Sequence, residues 1–272
     1  QYAGWLAVKG GTSYRELLFL YDRPARPGFE SPPTTVESGP HGYEVYGRRM
    51  IETFDQYRPK DVRLYVYFEG DKPPDVTEQN PEVSERVRWL SLDADEDRSA
   101  FMAAHRDHPI DYRRQPVKFC HKVFAVTAAP RDTDWLIWLD GDVETTAPVT
   151  HEFLNDLLPD RAIVVYLGRS WWQHSECGFV AYNMRADGHG QNFLDCMRGS
   201  YKSGAVTQHA QQHDCSVFDG LRMCYLSTDR FLDLGAAYKG PGLDVMPHTP
   251  LGAVMTHYKG PKAKRAAYGD VA

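Results

Sequence analysis

Several absences narrow what this chain can be. No apolar run approaches the roughly 18 residues of a membrane-spanning helix. There is no excess of positive charge: 31 Lys and Arg stand against 37 Asp and Glu, for a formal net charge of −6. No global basic field therefore draws the chain to nucleic acid or an anionic membrane. Cysteine is sparse and odd in number (Cys120, Cys177, Cys196, Cys215 and Cys224), with no C-x-x-C pair. That pattern points to reduced thiols in a cytoplasmic protein rather than a disulfide framework. No signal peptide is visible and residue 1 is Gln, so the N-terminus is expected to be a fragment boundary. Internal repeats, low-complexity tracts and convincing linkers are also missing. With 42% hydrophobic residues in 272, the expectation is one domain with a full core. It covers residues 34–272 and follows an extension, 1–33, whose order the sequence does not decide.

Alternating elements suggest the architecture. Thr34–Glu37 reads as a short strand, Ser38–Gly42 as a loop, and Tyr43–Tyr57 as a helix with Val45, Met50, Ile51 and Phe54 on one face. Val62–Phe68 reads as a strand. Residues 69–98 read as a solvated acidic loop with short helices, its cluster Asp93, Asp95, Glu96 and Asp97 not a metal site. A helix over Val117–Val126 leads to a strand at 135–139. His151–Leu158 reads as a helix stopped by Pro159, Ala162–Leu167 and Cys177–Tyr182 as strands, and Gln191–Tyr201 as an amphipathic helix. Asp214 is a candidate N-cap for a helix bearing Val217, Phe218, Leu221 and Cys224. Strands alternating with helices predict an α/β sandwich on a largely parallel, mixed sheet flanked by helices.

The most informative stretch is Trp135-Leu136-Ile137-Trp138-Leu139-Asp140-Gly141-Asp142. Five apolar residues suit a strand covered on both faces. Residues one apart on a strand share a side, so Asp140 and Asp142 can reach one point, and Gly141 admits a close neighbour. Converging carboxylates make a hard-oxygen site suited to Mg²⁺ or Mn²⁺, through which a diphosphate can be held. The competing reading is a strand end with solvated aspartates.

A second signal is Thr256-His257-Tyr258-Lys259-Gly260-Pro261-Lys262-Ala263-Lys264-Arg265, with four basic residues and no acid. His257 is a candidate metal ligand, Gly260 allows close backbone approach, and Lys262 offers a point charge to phosphate. A basic, solvated tail is the competing reading. Trp171 and Trp172 offer faces for a sugar or base, or for packing. His209, His213 and Cys215 lack zinc spacing and read as structural, and His105 and His108 as surface residues.

Together these motifs resemble those of the retaining, metal-dependent glycosyltransferases with the GT-A fold, most closely family eight. The shared features are Asp140-Gly141-Asp142; a later strand, Glu176-Cys177-Gly178-Phe179-Val180-Ala181-Tyr182-Asn183, with Glu176 where the family has asparagine; Gln212-His213-Asp214-Cys215 opening a helix; and His257-Tyr258-Lys259-Gly260-Pro261-Lys262. The likeness spans roughly residues 34–265. The chain is also similar to compact glycosyltransferases of tailed bacteriophages, which would place it in the cytoplasm of an infected host.

The resemblance implies an enzyme that moves a sugar from a nucleotide-diphosphate donor, a UDP-sugar on family grounds, to an acceptor hydroxyl with retention. It implies metal ligands Asp140, Asp142 and His257, with Asp140 also near the donor ribose. Gly260 and Lys262 would contact the diphosphate. Lys122, with Lys118 one helical turn earlier, is the basic residue upstream of D-x-D; Lys122, Glu176 and Gly178 would sit near the donor sugar. Asp214 or Glu176 would stabilise the cationic sugar, Asp214 otherwise serving only as a cap. Tyr43 and Tyr46 are candidates to stack on the base, or ordinary packing. A glycan, lipopolysaccharide or hydroxymethylated DNA base all fit as acceptor, the last using Lys202 and the 259–265 tail against phosphates. The other classes in play are a sugar-phosphate nucleotidyltransferase, whose Gly-rich phosphate loop residues 34–48 do not show, and a non-catalytic nucleotide-sugar or carbohydrate-binding module.

Overall fold

A computed structural model of the chain describes residues 46–70, 85–107, 114–169, 173–225, 228–240 and 244–259, with 263, 266 and 267 near the C-terminus. The expected strand at 34–37 and loop at 38–42 lie outside them, as do the N-terminal extension, Tyr43, Val45, His108, Trp171, Trp172, Gly260 and Lys262.

The first helix, α1 (Arg48–Tyr57), buries Met50, Ile51 and Phe54 as the spacing predicts. It ends where Arg58 turns extended ahead of Pro59. Strand β1 (Leu64–Phe68) pairs in parallel with β2 (Val87–Ser91). β2 corrects the reading of 69–98 as loop and helix: Val-Arg-Trp-Leu-Ser is a real strand hidden in an acidic neighbourhood. The acids around it cap and pair. Asp95 caps α2 (Glu96–Ala104) by accepting from the Arg98 N–H, and with Asp97 it holds Arg198.

Next comes α3 (Pro116–Ala128), whose proline opens the first turn where no N–H is needed. It leads to β3 (Trp135–Leu139) and β4 (Val143–Thr145), then α4 (His151–Leu157), β5 (Val164–Leu167) and β6 (Glu176–Asn183). Helices α5 (His189–Lys202) and α6 (Asp214–Cys224) follow, then β7 (Phe231–Asp233) and β8 (Met255–His257). The central sheet has the order β3-β6-β5-β7. β6 is antiparallel to both neighbours, while β5 and β7 run parallel. The expected mixed α/β architecture is found, with parallel pairing confined among the described residues to β1–β2 and β5–β7.

Strand alternation splits the core into two layers. Val164, Tyr166, Val180 and Tyr182 pack under α3, α5 and α6 with Phe124, Phe193, Phe218 and Leu221. Val165, Leu167, Phe179 and Ala181 face the other way, against Leu157, Met246, Leu251 and Met255. Every residue of β6 is buried, so the sheet is a middle layer covered on both sides.

Two details position the site. The β5–β6 register slips between Tyr166, opposite Val180, and Leu167, opposite Glu176. A slip of this kind re-aims side chains at a strand end: Cys177 joins the layer under α3, α5 and α6, while Glu176 points to β8. Secondly, β4 and β8 form a separate antiparallel ladder with Val143 opposite His257. That ladder carries the C-terminal histidine to the end of β3.

Candidate active site

Asp140 and Asp142 do not meet by strand alternation. β3 ends at Leu139, the Asp140 N–H still donates to the Gly178 carbonyl at 3.0 Å, and the Val143 N–H closes a turn onto the Asp140 carbonyl at 3.0 Å. The chain reverses, and both carboxylates face the incoming β8. His257 Nε2 lies 3.1 Å from Asp142 Oδ1, and one donor atom each from Asp140, Asp142 and His257 lie within 4.8 Å of one another. Asp142 and His257 are buried, Asp140 half-buried. Two carboxylate oxygens and an imidazole nitrogen are a donor set that fits Mn²⁺ or Mg²⁺.

Glu176 stands behind His257. Its Oε1 lies 2.7 Å from His257 Nδ1, in hydrogen-bond contact, and 3.0 Å from Lys259 Nζ. Its Oε2 takes the Val245 N–H at 3.2 Å and an Arg169 guanidinium nitrogen at 3.4 Å. Burial alone would raise the Glu176 pKa, but Lys259 first, then His257 and Arg169, hold it well below the usual carboxylate range. For His257 the balance runs the other way: burial and Lys259 lower its pKa, while Asp142 and Glu176 outweigh them and raise it. Asp244 belongs to the same neighbourhood, its pKa raised by burial and then by Glu176.

On the helix side, α3 delivers Lys122 between two carboxylates, 2.8 Å from Asp140 Oδ1 and 3.0 Å from Asp214 Oδ2. The ammonium also donates to the Cys177 carbonyl at 2.6 Å and sits 5.5 Å from the Trp138 ring centroid. Trp138 Nε1 donates to the same Asp140 oxygen at 2.7 Å. Burial would lower the Lys122 pKa, but Asp140 and then Asp214 drive it well above the ordinary lysine value. Asp214 is correspondingly depressed, with Lys122 and His213 overcoming burial.

Asp214 is not the N-cap of α6. His213 is, its Nδ1 accepting the Ser216 N–H at 3.2 Å. A ring nitrogen can do what a carboxylate oxygen does at this position, which places Asp214 in the first turn and turns it toward Lys122. Cys177 and Cys215 meet beside this pair, and hydrogen bonding between them pushes the Cys177 thiol up and draws Cys215 down. All five cysteines are free.

The remaining candidates are placed less centrally. The Tyr46 phenol has its pKa raised by burial and then by the charge of Asp142, which puts it beside the site at the foot of α1. Lys118 lies half-buried one turn before Lys122 on α3. A Cβ on Gly178 would overlap the His257 ring, so the glycine is needed for close approach. His105 is not a plain surface residue: it is half-buried and packs on Phe101 with ring centroids 4.5 Å apart. Lys202 pairs with Asp97 at 2.8 Å. Arg169 and Trp138 were assigned no role from the sequence, and Lys259 only one within the basic tail. Lys259 carried one signal, lying two residues after His257 on the same extended segment; Arg169 carried none.

No protein-family profile and no curated protein matches this sequence. Among solved structures, the chain is similar to mouse xyloside xylosyltransferase 1 in its apo form, with 12% identity over 72% of this chain and 80% of that one and a TM-score of 0.44. It is similar to galactosyltransferase LgtC in complex with donor and acceptor sugar analogues, with 11% identity over 68% and 66% and a TM-score of 0.40. It is also similar to the apo structure of the bifunctional glycosyltransferase WbbM, with 15% identity over 87% of this chain and a TM-score of 0.51. The chain spans 47% of WbbM's length. The WbbM likeness carries the conclusion that the fold of this chain is of the GT-A glycosyltransferase type.

Proposed function

We propose that this protein is a metal-dependent glycosyltransferase that moves a sugar from a UDP-sugar to an acceptor hydroxyl with retention. The observation that carries the reading is the convergence of Asp140 and Asp142 with His257, more than a hundred residues further along the chain, within one cation-sized space. In this proposal those three residues hold Mn²⁺ or Mg²⁺. What a bound ion supplies there is Lewis-acid charge to the oxygens of the departing diphosphate. Lys122 keeps Asp140 in place and Asp214 ionised, so that Asp214 presents a fixed negative charge to the sugar as it turns cationic. Fixed charges aimed at developing charge are where electrostatic catalysis is strongest. On the resemblance, Tyr43 and Tyr46 would serve the base and Gly260 and Lys262 the diphosphate; of these, Tyr46 feels the charge of Asp142.

For the acceptor, a glycan or lipopolysaccharide hydroxyl is favoured over a hydroxymethylated DNA base. Lys202 and Lys259, the two described cations assigned to DNA phosphates, are both engaged by carboxylates.

The test is a panel of nucleotide sugars assayed for transfer or hydrolysis, with Mn²⁺, with Mg²⁺ and with chelator. Expected is turnover of a UDP-sugar that needs the metal and falls at least about 100-fold in Asp142→Ala, with the circular dichroism unchanged. Metal-independent turnover, or an active Asp142→Ala, would remove the proposal. Labelled sugar appearing on hydroxymethylcytosine duplex, with a steep salt dependence, would reverse the acceptor choice.

A further inference from the structure

Resting on the reading of Asp140, Asp142 and His257 as the cation site, we infer that Glu176 is a positioning residue. It orients the His257 ring toward the cation and does not touch the sugar. Three observations lead there. First, the carboxylate is occupied: His257 Nδ1 and Lys259 engage one oxygen, and the Val245 N–H and Arg169 the other. A carboxylate has about four lone-pair sites, so meeting a sugar would require releasing a partner inside a buried network. Second, the 2.7 Å contact is to Nδ1, while Nε2 faces Asp142 at 3.1 Å. A carboxylate that takes the Nδ1 proton fixes the neutral ring in the tautomer whose Nε2 lone pair points at the ion, and makes that nitrogen more basic.

Third, the grip on the ring has a second part from the same strand end. Gly178 lies two residues from Glu176, and the His257 ring occupies the space its Cβ would fill. Glu-Cys-Gly is thus a cradle: Glu176 bonds one edge of the ring and Gly178 leaves the space that the ring fills. The register slip in β6 turns Cys177 to the helix layer and leaves these two facing β8. Lys259 and Arg169 offset the charge that a buried glutamate would otherwise leave uncompensated.

The experiment has two arms. Mn²⁺ affinity is measured by electron paramagnetic resonance for the wild type, Glu176→Gln and the near-isosteric Glu176→Met. The ring tautomer of His257 is read from imidazole ¹⁵N shifts in the metal-free proteins at a pH where the ring is neutral, assigned by comparison with His257→Gln. Expected is an Nδ1–H tautomer in the wild type, lost in Glu176→Met. The Mn²⁺ dissociation constant is expected to rise by roughly 10–100-fold in the variants, least in Gln, which still accepts a hydrogen bond. An Nε2–H tautomer in the wild type, or a dissociation constant within about twofold of it in a folded Glu176→Met variant, would overturn the assignment. A wild type that binds no Mn²⁺ would sink the proposed function instead, and the tautomer arm would still decide the role of Glu176.

Discussion

At the scale of single residues the site is an alternation of charges, and Lys122 is its pivot. Its ammonium is the shared partner of Asp140 and Asp214, one half-buried and one buried. In Lys122→Met those carboxylates remain while their cation is gone. Breaking a buried pair from one side typically costs 3–5 kcal/mol; here we expect about 3, because Asp140 is partly solvated. Urea denaturation at neutral pH checks this. The pH dependence follows from Asp214, whose folded-state pKa lies below its ordinary value of 3.8. A depressed carboxylate contributes stability that is present above its unfolded pKa and lost as pH falls through the folded value. Acid unfolding of the wild type should therefore steepen below about pH 4. In Lys122→Met, with the main depressing charge removed and burial remaining, the Asp214 pKa rises, so its share of the acid-induced loss should disappear and the variant's deficit should be largest at neutral pH and shrink as pH falls. Superimposable acid-unfolding curves would show that Lys122 does not hold Asp214. Lys122 was legible only through the family resemblance, which puts a basic residue upstream of D-x-D, with Lys118 one helical turn earlier as its neighbour. Arg169 and Lys259 were not, because a basic residue in a loop or tail reads as solvated until a buried carboxylate is known to sit opposite.

Among the elements, the two that carry His257 to the aspartates are among the shortest. β4, β7 and β8 have three residues each, too few for any periodicity to register, yet β4 and β8 alone bring His257 to the aspartate turn. Longer elements were readable: α1, α3, α4, β5, β6, α5 and α6 lie within a few residues of where apolar spacing places them. β2 was missed because its five residues are embedded in acids that cap and pair elsewhere. The irregular end of β6 provides the test at this scale. Gly178→Ala inserts a methyl group where the His257 ring lies. Overpacking of this kind typically costs about 1–3 kcal/mol, and relieving the overlap shifts the His257 ring from its place between Glu176 and Asp142. The variant should fold with that loss of stability and bind Mn²⁺ more weakly than wild type. Unchanged stability together with unchanged affinity would show that the contact relaxes without moving the ring.

For the whole molecule, the cation site joins segments far apart in the chain: the β3–β4 turn, about midway along it, and β8, the last described strand. Ligands that bind only when both segments are in place stabilise the entire fold by RT ln(1 + [L]/Kd), about 2.7 kcal/mol at a hundredfold excess over Kd. Thermal unfolding should therefore shift upward with Mn²⁺ in the wild type. The size of the shift should track the logarithm of metal concentration, because the unfolded chain has no preformed site. Asp142→Ala and His257→Ala remove a ligand from each segment, and both should lose the shift although they alter different parts of the sequence. Asp93→Ala provides the control, since the acidic cluster before α2 is committed to Arg98 and the Gly70 N–H; its metal response should match the wild type. An equal Mn²⁺ shift in all four proteins would mean that the ion binds elsewhere. A shift lost in Asp142→Ala but kept in His257→Ala would mean that the histidine near the turn is only a structural neighbour of the aspartates.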